Sequence, residues 1–279
     1  MVSIESSEKR IGDPYFTGVS NGDPCVVECS MEEPVDDAGN FPLVRVGKVF
    51  RTVNKFLYLL VRYNGINGLA LIQKFDFEIN SAAISSKTGN LWVAESISDS
   101  NGNKKIIEIE TETYEIVSTF VVNIAEDTFS AVIDPKTDRY YINGKPDKFY
   151  IIDLEQRELV GTLEYDDVPL AADWAYDIVT ERAWMISFGE LYSVDLNSGG
   201  INKYPIAFDG DTSGIFIGAF TDANGDGFFV DINGRMFTFN IKDYIELRDI
   251  TVTELLVYDN DHDSEDGASD PTKLNILSR

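Results

Sequence analysis

Two different kinds of short segment return along this chain at nearly the same interval, and few folds accommodate that. The first is an apolar run ending in an acid or amide: Leu71–Asp76, Ile106–Glu110, Phe149–Asp153, Leu191–Asp195 and Met236–Asn240. Their last residues lie 34, 43, 42 and 45 positions apart. Each is too short for an ordinary helix and rich in β-branched or aromatic residues, so each reads as a strand. The second is an apolar run, a turn and an aromatic-bearing strand: Ala82–Val93, Ala131–Ile142, Trp174–Met185 and Ala219–Val230, with a weaker copy at Lys48–Tyr58. Its turn residues Thr88, Thr137, Thr180 and Asn224 stand 49, 43 and 44 apart.

One supersecondary unit of about forty residues therefore repeats. A small apolar strand packs at a crowded axis, a turn reverses the chain, and an aromatic strand fills the space between neighbouring sheets. A third strand ends in Asp or Glu, and a hairpin such as Leu196–Gly200 leads to an outer fourth. Four strands in such a length match the blade of a β-propeller. No amphipathic helical stretch of useful length interrupts the series, which argues against βαβ units. The reading is an all-β propeller forming a single domain over residues 1–279, with six four-stranded blades and with five or seven as the alternatives. Residues 1–47 and 246–279 carry further strand material and would form the closing blade, because pairing the N- and C-terminal strands removes the sheet edge at the seam.

Segments such as Ala131–Leu154 and Gly218–Asn240 resemble the NHL, gluconolactonase and quinoprotein-like propeller group. More narrowly they are similar to a propeller domain of unknown function found in secreted and surface proteins. In that domain a T-D-A-N-G segment precedes the last full blade and an acidic D-G-A segment lies near the end, as at Glu265–Ala268 here. The resemblance spans roughly residues 50–270 and implies the fold but no established activity.

The formal net charge is −25, which repels phosphate backbones and anionic headgroups, so neither nucleic acid nor a membrane surface is an expected partner. Metal cations, basic partners or simple solubility remain. No stretch reaches the length and apolarity of a membrane-spanning helix. The first residues lack a signal-peptide layout, which leaves a cytoplasmic protein or one whose leader was removed; a secreted or surface location is the favoured of the two. Cys25 and Cys29 read either as free thiols or as a short local disulfide, and a zinc site lacks partners because His262 is the only histidine.

That single histidine also limits catalysis. A Ser-His-Asp triad would need His262, and no G-x-S-x-G elbow, Walker A loop or strand-borne G-x-G-x-x-G is present. Two acidic loops carry oxygen donors at alternate positions, the spacing with which a loop wraps Ca2+. One offers Asp222, Asn224 and Asp226, but Val230 and Asn233 stand where the final ligand of such loops belongs, and a metal-free hairpin turn is the other reading. The second offers Asp259, Asp261 and Asp263, with Ser264 where Gly is needed; a solvated loop is the alternative. Asn80, Asp173 and Asp222 sit at inner-strand entrances and are candidates to face the channel, and Glu95 and Asn143 follow the second strands. Trp92, Trp174 and Trp184 fall at repeat-equivalent positions and read as core between blades.

The function expected is a non-catalytic binding or structural module, with calcium as a candidate stabilising ion and a protein or carbohydrate as partner. The alternative is a metal-dependent hydrolase or lactonase with channel carboxylates. An enzyme of that kind needs oxygen ligands from several blades converging on one ion, whereas a binding module can have its channel plugged by side chains. The oligomeric state is not legible in the sequence.

Overall fold

The computed structural model describes residues 44–63, 66–145, 147–165, 173–208, 215–233, 235–247, 253–257, 265–268 and 271. They form five four-stranded antiparallel sheets. Four are built of consecutive strands, named from the axis outward. The first of these holds β4 (Ile79–Ile84), β5 (Leu91–Glu95), β6 (Asn103–Ile109) and β7 (Ile116–Asn123). The next holds β8 (Ser130–Asp134), β9 (Arg139–Lys145), β10 (Lys148–Asp153) and β11 (Glu158–Glu164). β12 (Ala175–Asp177), β13 (Arg182–Ser187), β14 (Glu190–Val194) and β15 (Ile201–Pro205) follow. Then come β16 (Phe216–Thr221), β17 (Asp226–Asp231), β18 (Arg235–Asn240) and β19 (Thr253–Val257), with the short helix α1 (Ile241–Leu247) before β19. The fifth sheet is composite: β20 (Glu265–Ala268) pairs with β1 (Val44–Val53), then β2 (Phe56–Tyr63) and β3 (Ile66–Lys74). The inner strands touch in sequence, β20 to β4, β4 to β8, β8 to β12, β12 to β16, and β16 back to β20. The ring closes, and the fold is a β-propeller.

Alternation along each strand explains the continuous apolar runs. Side chains of successive strand residues point to opposite faces, and here both faces meet another blade. In β5, Leu91 and Val93 pack toward β1 and β2, while Trp92 and Ala94 pack toward Tyr140, Ile142 and Ile152 of the next blade. In β9, Tyr140 and Ile142 face backward and Tyr141 faces forward, against Trp174 and Met185. In β13, Ala183 and Met185 face backward, and Trp184 and Ile186 face forward onto Phe229 and Phe237. Among the described residues the core is thus four inter-blade layers, and all three tryptophans are buried in them.

The described residues do not build six blades. Among the described residues no sixth sheet exists, because the terminal strands complete other sheets. β19 is the outer strand of the Phe216-led blade, and β20 supplies the inner strand that β1–β3 lack. The phase of the first repeat also differs from expectation. Leu71–Asp76 lies at the end of β3, an outer strand, whereas Ile106–Glu110 and its later counterparts end third strands. That slip of one strand accounts for the short first interval of 34 residues. Residues 1–43, with Cys25 and Cys29, lie outside the described residues.

Candidate functional site

The axis is built from equivalent positions on the inner strands. Counting back four residues from the turn residues Ser85, Asp134, Asp177 and Asp222 reaches Ser81, Ser130, Asp173 and Gly218. The next residues, Ala82, Ala131, Trp174 and Ala219, line the channel with Ile84, Ile133, Tyr176, Phe220 and Pro271. The void left among them is about 20 Å³, room for roughly one water. Among the described residues, mainly apolar side chains fill this part of the channel.

Asp173 is the one carboxylate of the predicted channel set at this level, and it is buried. Its Oδ1 accepts from Ser130 Oγ at 2.7 Å and from its neighbour's amide, Trp174 N, at 2.8 Å. Its Oδ2 accepts from Ala219 N, and Trp174 N also donates to Ser130 Oγ at 2.6 Å. Asp173 therefore ties the inner strands of three successive blades, and both oxygens face protein donors. Such a carboxylate, desolvated but bonded to several donors, holds a fold together. Asn80 turns back on its own chain, its Oδ1 accepting from Ser81 N at 2.9 Å. Ser81 sits at a break in the β4–β5 register with φ of 58°, and its carbonyl accepts from Tyr140 of the next blade.

The first acidic loop closes on itself. Asp222 is buried, and its Oδ1 accepts from Asn224 N at 2.9 Å and Asp226 N at 3.2 Å. Asn240 Nδ2 then bonds Asn224 O and Asp226 Oδ1, each at 2.9 Å. Among the described residues no group of three or more acids, histidines or cysteines is arranged to hold a metal. Asp259, Asp261, Asp263 and His262 lie outside them. Glu95 accepts from Lys105 N at 2.8 Å. Asn143 Nδ2 bonds Lys148 O and the buried hydroxyl of Tyr165. Glu95 serves its own hairpin, and Asn143 joins its hairpin to the end of β11.

A more open concavity lies where the first hairpin turns of three blades meet the channel mouth. It encloses about 610 Å³ and is lined by Ser86, Lys87, Lys136, Asp138, Tyr176 and Ile178 among others. Charges here are paired between blades: Lys87 with Glu155 at 3.2 Å and Lys136 with Glu181 at 2.5 Å. Asp138 accepts from Ser85 Oγ of the preceding blade at 2.6 Å. Burial raises the Asp138 carboxyl above its ordinary value, and the Ser85 bond opposes that. Burial, with Asp134 nearby, also raises the Tyr176 hydroxyl well above its usual value. Tyr176 lines the concavity, and its two lysines are matched by glutamates of the next blade. This site was missed in the sequence, although a signal exists: Lys87-Thr88 and Lys136-Thr137 are the same step of consecutive repeats.

Fold and site together define a β-propeller with an occluded axis. No protein-family profile matches the sequence, and no curated protein matches it. Solved structures do, 1310 chains in all, the breadth expected of a fold that many unrelated sequences adopt. A protein of unknown function from Bacteroides caccae superposes with a TM-score of 0.52 at 13% identity, over 83% of this chain and 87% of that one. PorZ, an essential bacterial surface component of the type-IX secretion system of Porphyromonas gingivalis, gives 0.43 at 16% identity over 78% of this chain. This chain spans 28% of PorZ. The Cps50 (Swd1) β-propeller domain of Myceliophteria thermophila gives 0.46 at 14%, over 80% of this chain and 74% of that one. At such identities the likeness concerns the fold, and the last two superpositions are too loose to support more.

Proposed function

We propose that this propeller is a non-catalytic binding or structural module that presents its channel mouth to a protein or carbohydrate partner. The plugged axis supports that reading most directly: the void is about 20 Å³, and the buried Asp173 has both oxygens engaged by neighbouring blades. A hydrolase of the lactonase type needs a solvent-filled channel and carboxylates free for an ion. The larger concavity lined by Lys87, Lys136 and Tyr176 has the size of an ordinary ligand site. Calcium enters this proposal only as a candidate ligand of the acidic loops. A secreted or surface location accords with the resemblance of the repeats to propellers of such proteins, and cell fractionation tests it. The activity test is direct. With calcium present, the protein should open gluconolactone no faster than buffer does, while titration against a panel of oligosaccharides and peptides should find a ligand lost in Tyr176→Ala. Calcium-dependent lactone hydrolysis abolished by Asp173→Asn would overturn the proposal.

A further inference from the structure

The outer edges of the blades are not alike. β11 carries Glu158 and Glu164, β15 carries Lys203 and Pro205, and β3 carries Lys74. Charges and proline on an edge strand keep other strands from pairing with it. β7 has neither: it reads Ile-Val-Ser-Thr-Phe-Val-Val-Asn. It is also eight residues long and dominated by β-branched residues, the composition that favours further strand pairing. Ile116, Val117 and Val121 are 47%, 56% and 57% exposed. One side of the strand pairs with β6, and among the described residues no strand pairs with the other.

The charges around this strand say what kind of chain it takes. Exposed Glu112 and Glu115 precede it, and exposed Asp127 follows it beyond Glu126. Glu126 is matched by Lys148 at 3.1 Å. The cation opposite Val121 on β6 is Lys105, which faces Glu95 and the Phe77 ring. An apolar edge bounded by acids at both ends disfavours a second copy of this chain, because antiparallel pairing of two β7 strands would bring Glu112 and Glu115 of one against Asp127 of the other. The same arrangement suits an extended chain with cationic ends.

We infer that β7 is a docking edge for an extended segment of a partner protein, apolar and β-branched in its middle and bounded by Lys or Arg, which adds as a fifth strand to this blade. β7 is the outer strand of its blade, whereas the concavity is lined by the turns of inner strands, and the inference does not depend on that site. The probe is a synthetic peptide of alternating valine and threonine with two lysines at each end. Fluorescence anisotropy should show it binding, with amide exchange slowed in residues 116–123. The same peptide ended by glutamates should bind at least about tenfold more weakly, and so should the lysine peptide to Val121→Lys. Val160→Lys on β11 should leave binding unchanged, and melting curves confirm that both variants fold. Equal binding of the two peptides, no binding, or protection mapped elsewhere overturns the inference. So does a dimer of the free protein that Val121→Lys dissociates.

Discussion

At the scale of single residues, the groups most exposed to error from sequence alone are the buried polar ones. Asp173 has the right type and place for a channel ligand, yet the structure gives its oxygens to Ser130, Trp174 N and Ala219 N. Asp173→Asn keeps the shape but turns one oxygen into a donor facing a donor. It should lower unfolding free energy by about 2–4 kcal/mol, measured by urea titration; an unchanged midpoint would contradict the tie between blades. Phe188 is a different case. It sits at the tip of the β13–β14 turn with φ of 48°, followed by Gly189 at 76°, and its side chain is 67% exposed. Two positive φ values in a two-residue turn favour Asn-Gly, and a bulky residue there is strained. Phe188→Asn should therefore stabilise the protein by roughly 0.5–1 kcal/mol in the same assay, and a loss of stability would show that Phe188 packs in a way its exposure hides.

At the scale of elements, the turns were the most legible feature, and their chemistry explains the landmarks. At the end of the third strands of the middle blades an acid opens a hairpin loop. Asp153 Oδ1 accepts from Gln156 N at 2.8 Å, and Asp195 Oδ1 from Asn197 N at 2.8 Å. Both loops then pass through a left-handed residue, Arg157 or Gly199. Asn240 holds the same place but caps α1 instead, accepting from Asp243 N at 3.1 Å. The first turns have a matching left-handed slot at Gly89, Asp138, Glu181 and Gly225. In the later blades that slot meets the preceding blade: Asp138 reaches Ser85, Glu181 reaches Lys136, and Gly225 lies against Val179 and Asp177. Periodicity could place these turns but not their neighbours, because inter-blade contact depends on the twist of the ring. Gly199 shows the consequence. A Cβ there would stand 2.3 Å from the Glu164 carbonyl oxygen of the preceding blade, in a backbone conformation that already disfavours alanine. Gly199→Ala should cost about 2 kcal/mol or more, seen as a lower melting temperature, whereas Gly89→Ala, with open space around it, should cost less.

At the scale of the whole molecule, the sequence carried the repeat but not the count, because the unit around residues 48–76 is completed by β20 and β19 completes the last blade, so the terminal strands add no blade of their own. The acidic charge likewise hides a buried cation. Lys104 is fully buried between β6 and the loop after β5, its Nζ donating to Glu95 O at 2.9 Å and Ser96 O at 2.6 Å. Burial lowers its pKa from 10.5 to about 8, against the pull of Asp127 and Glu95. Between those values the unfolded chain holds a proton that the folded chain has released, so stability rises with pH there. Tyr165 and Tyr176 act the other way. Burial raises their hydroxyls above 10.0, so the folded chain keeps protons that the unfolded chain loses, and stability falls once pH passes about 10. The melting temperature should climb from about pH 8 and turn over near 10. Lys104→Met should remove the climb and keep the fall; a climb that persists would assign it to another group.

The ring is closed by the last described strand, β20, pairing with the first, β1. Val53 and Glu265 are opposed in that pairing. Val53→Cys with Glu265→Cys, in a chain whose Cys25 and Cys29 are replaced by serine, should form an intramolecular disulfide on mild oxidation, read as a mass loss of two hydrogens in the monomer. The bond should raise the unfolding free energy by about 2–4 kcal/mol. Thiols that stay free, or that link only between molecules, would mean the two strands are not neighbours and the ring is open.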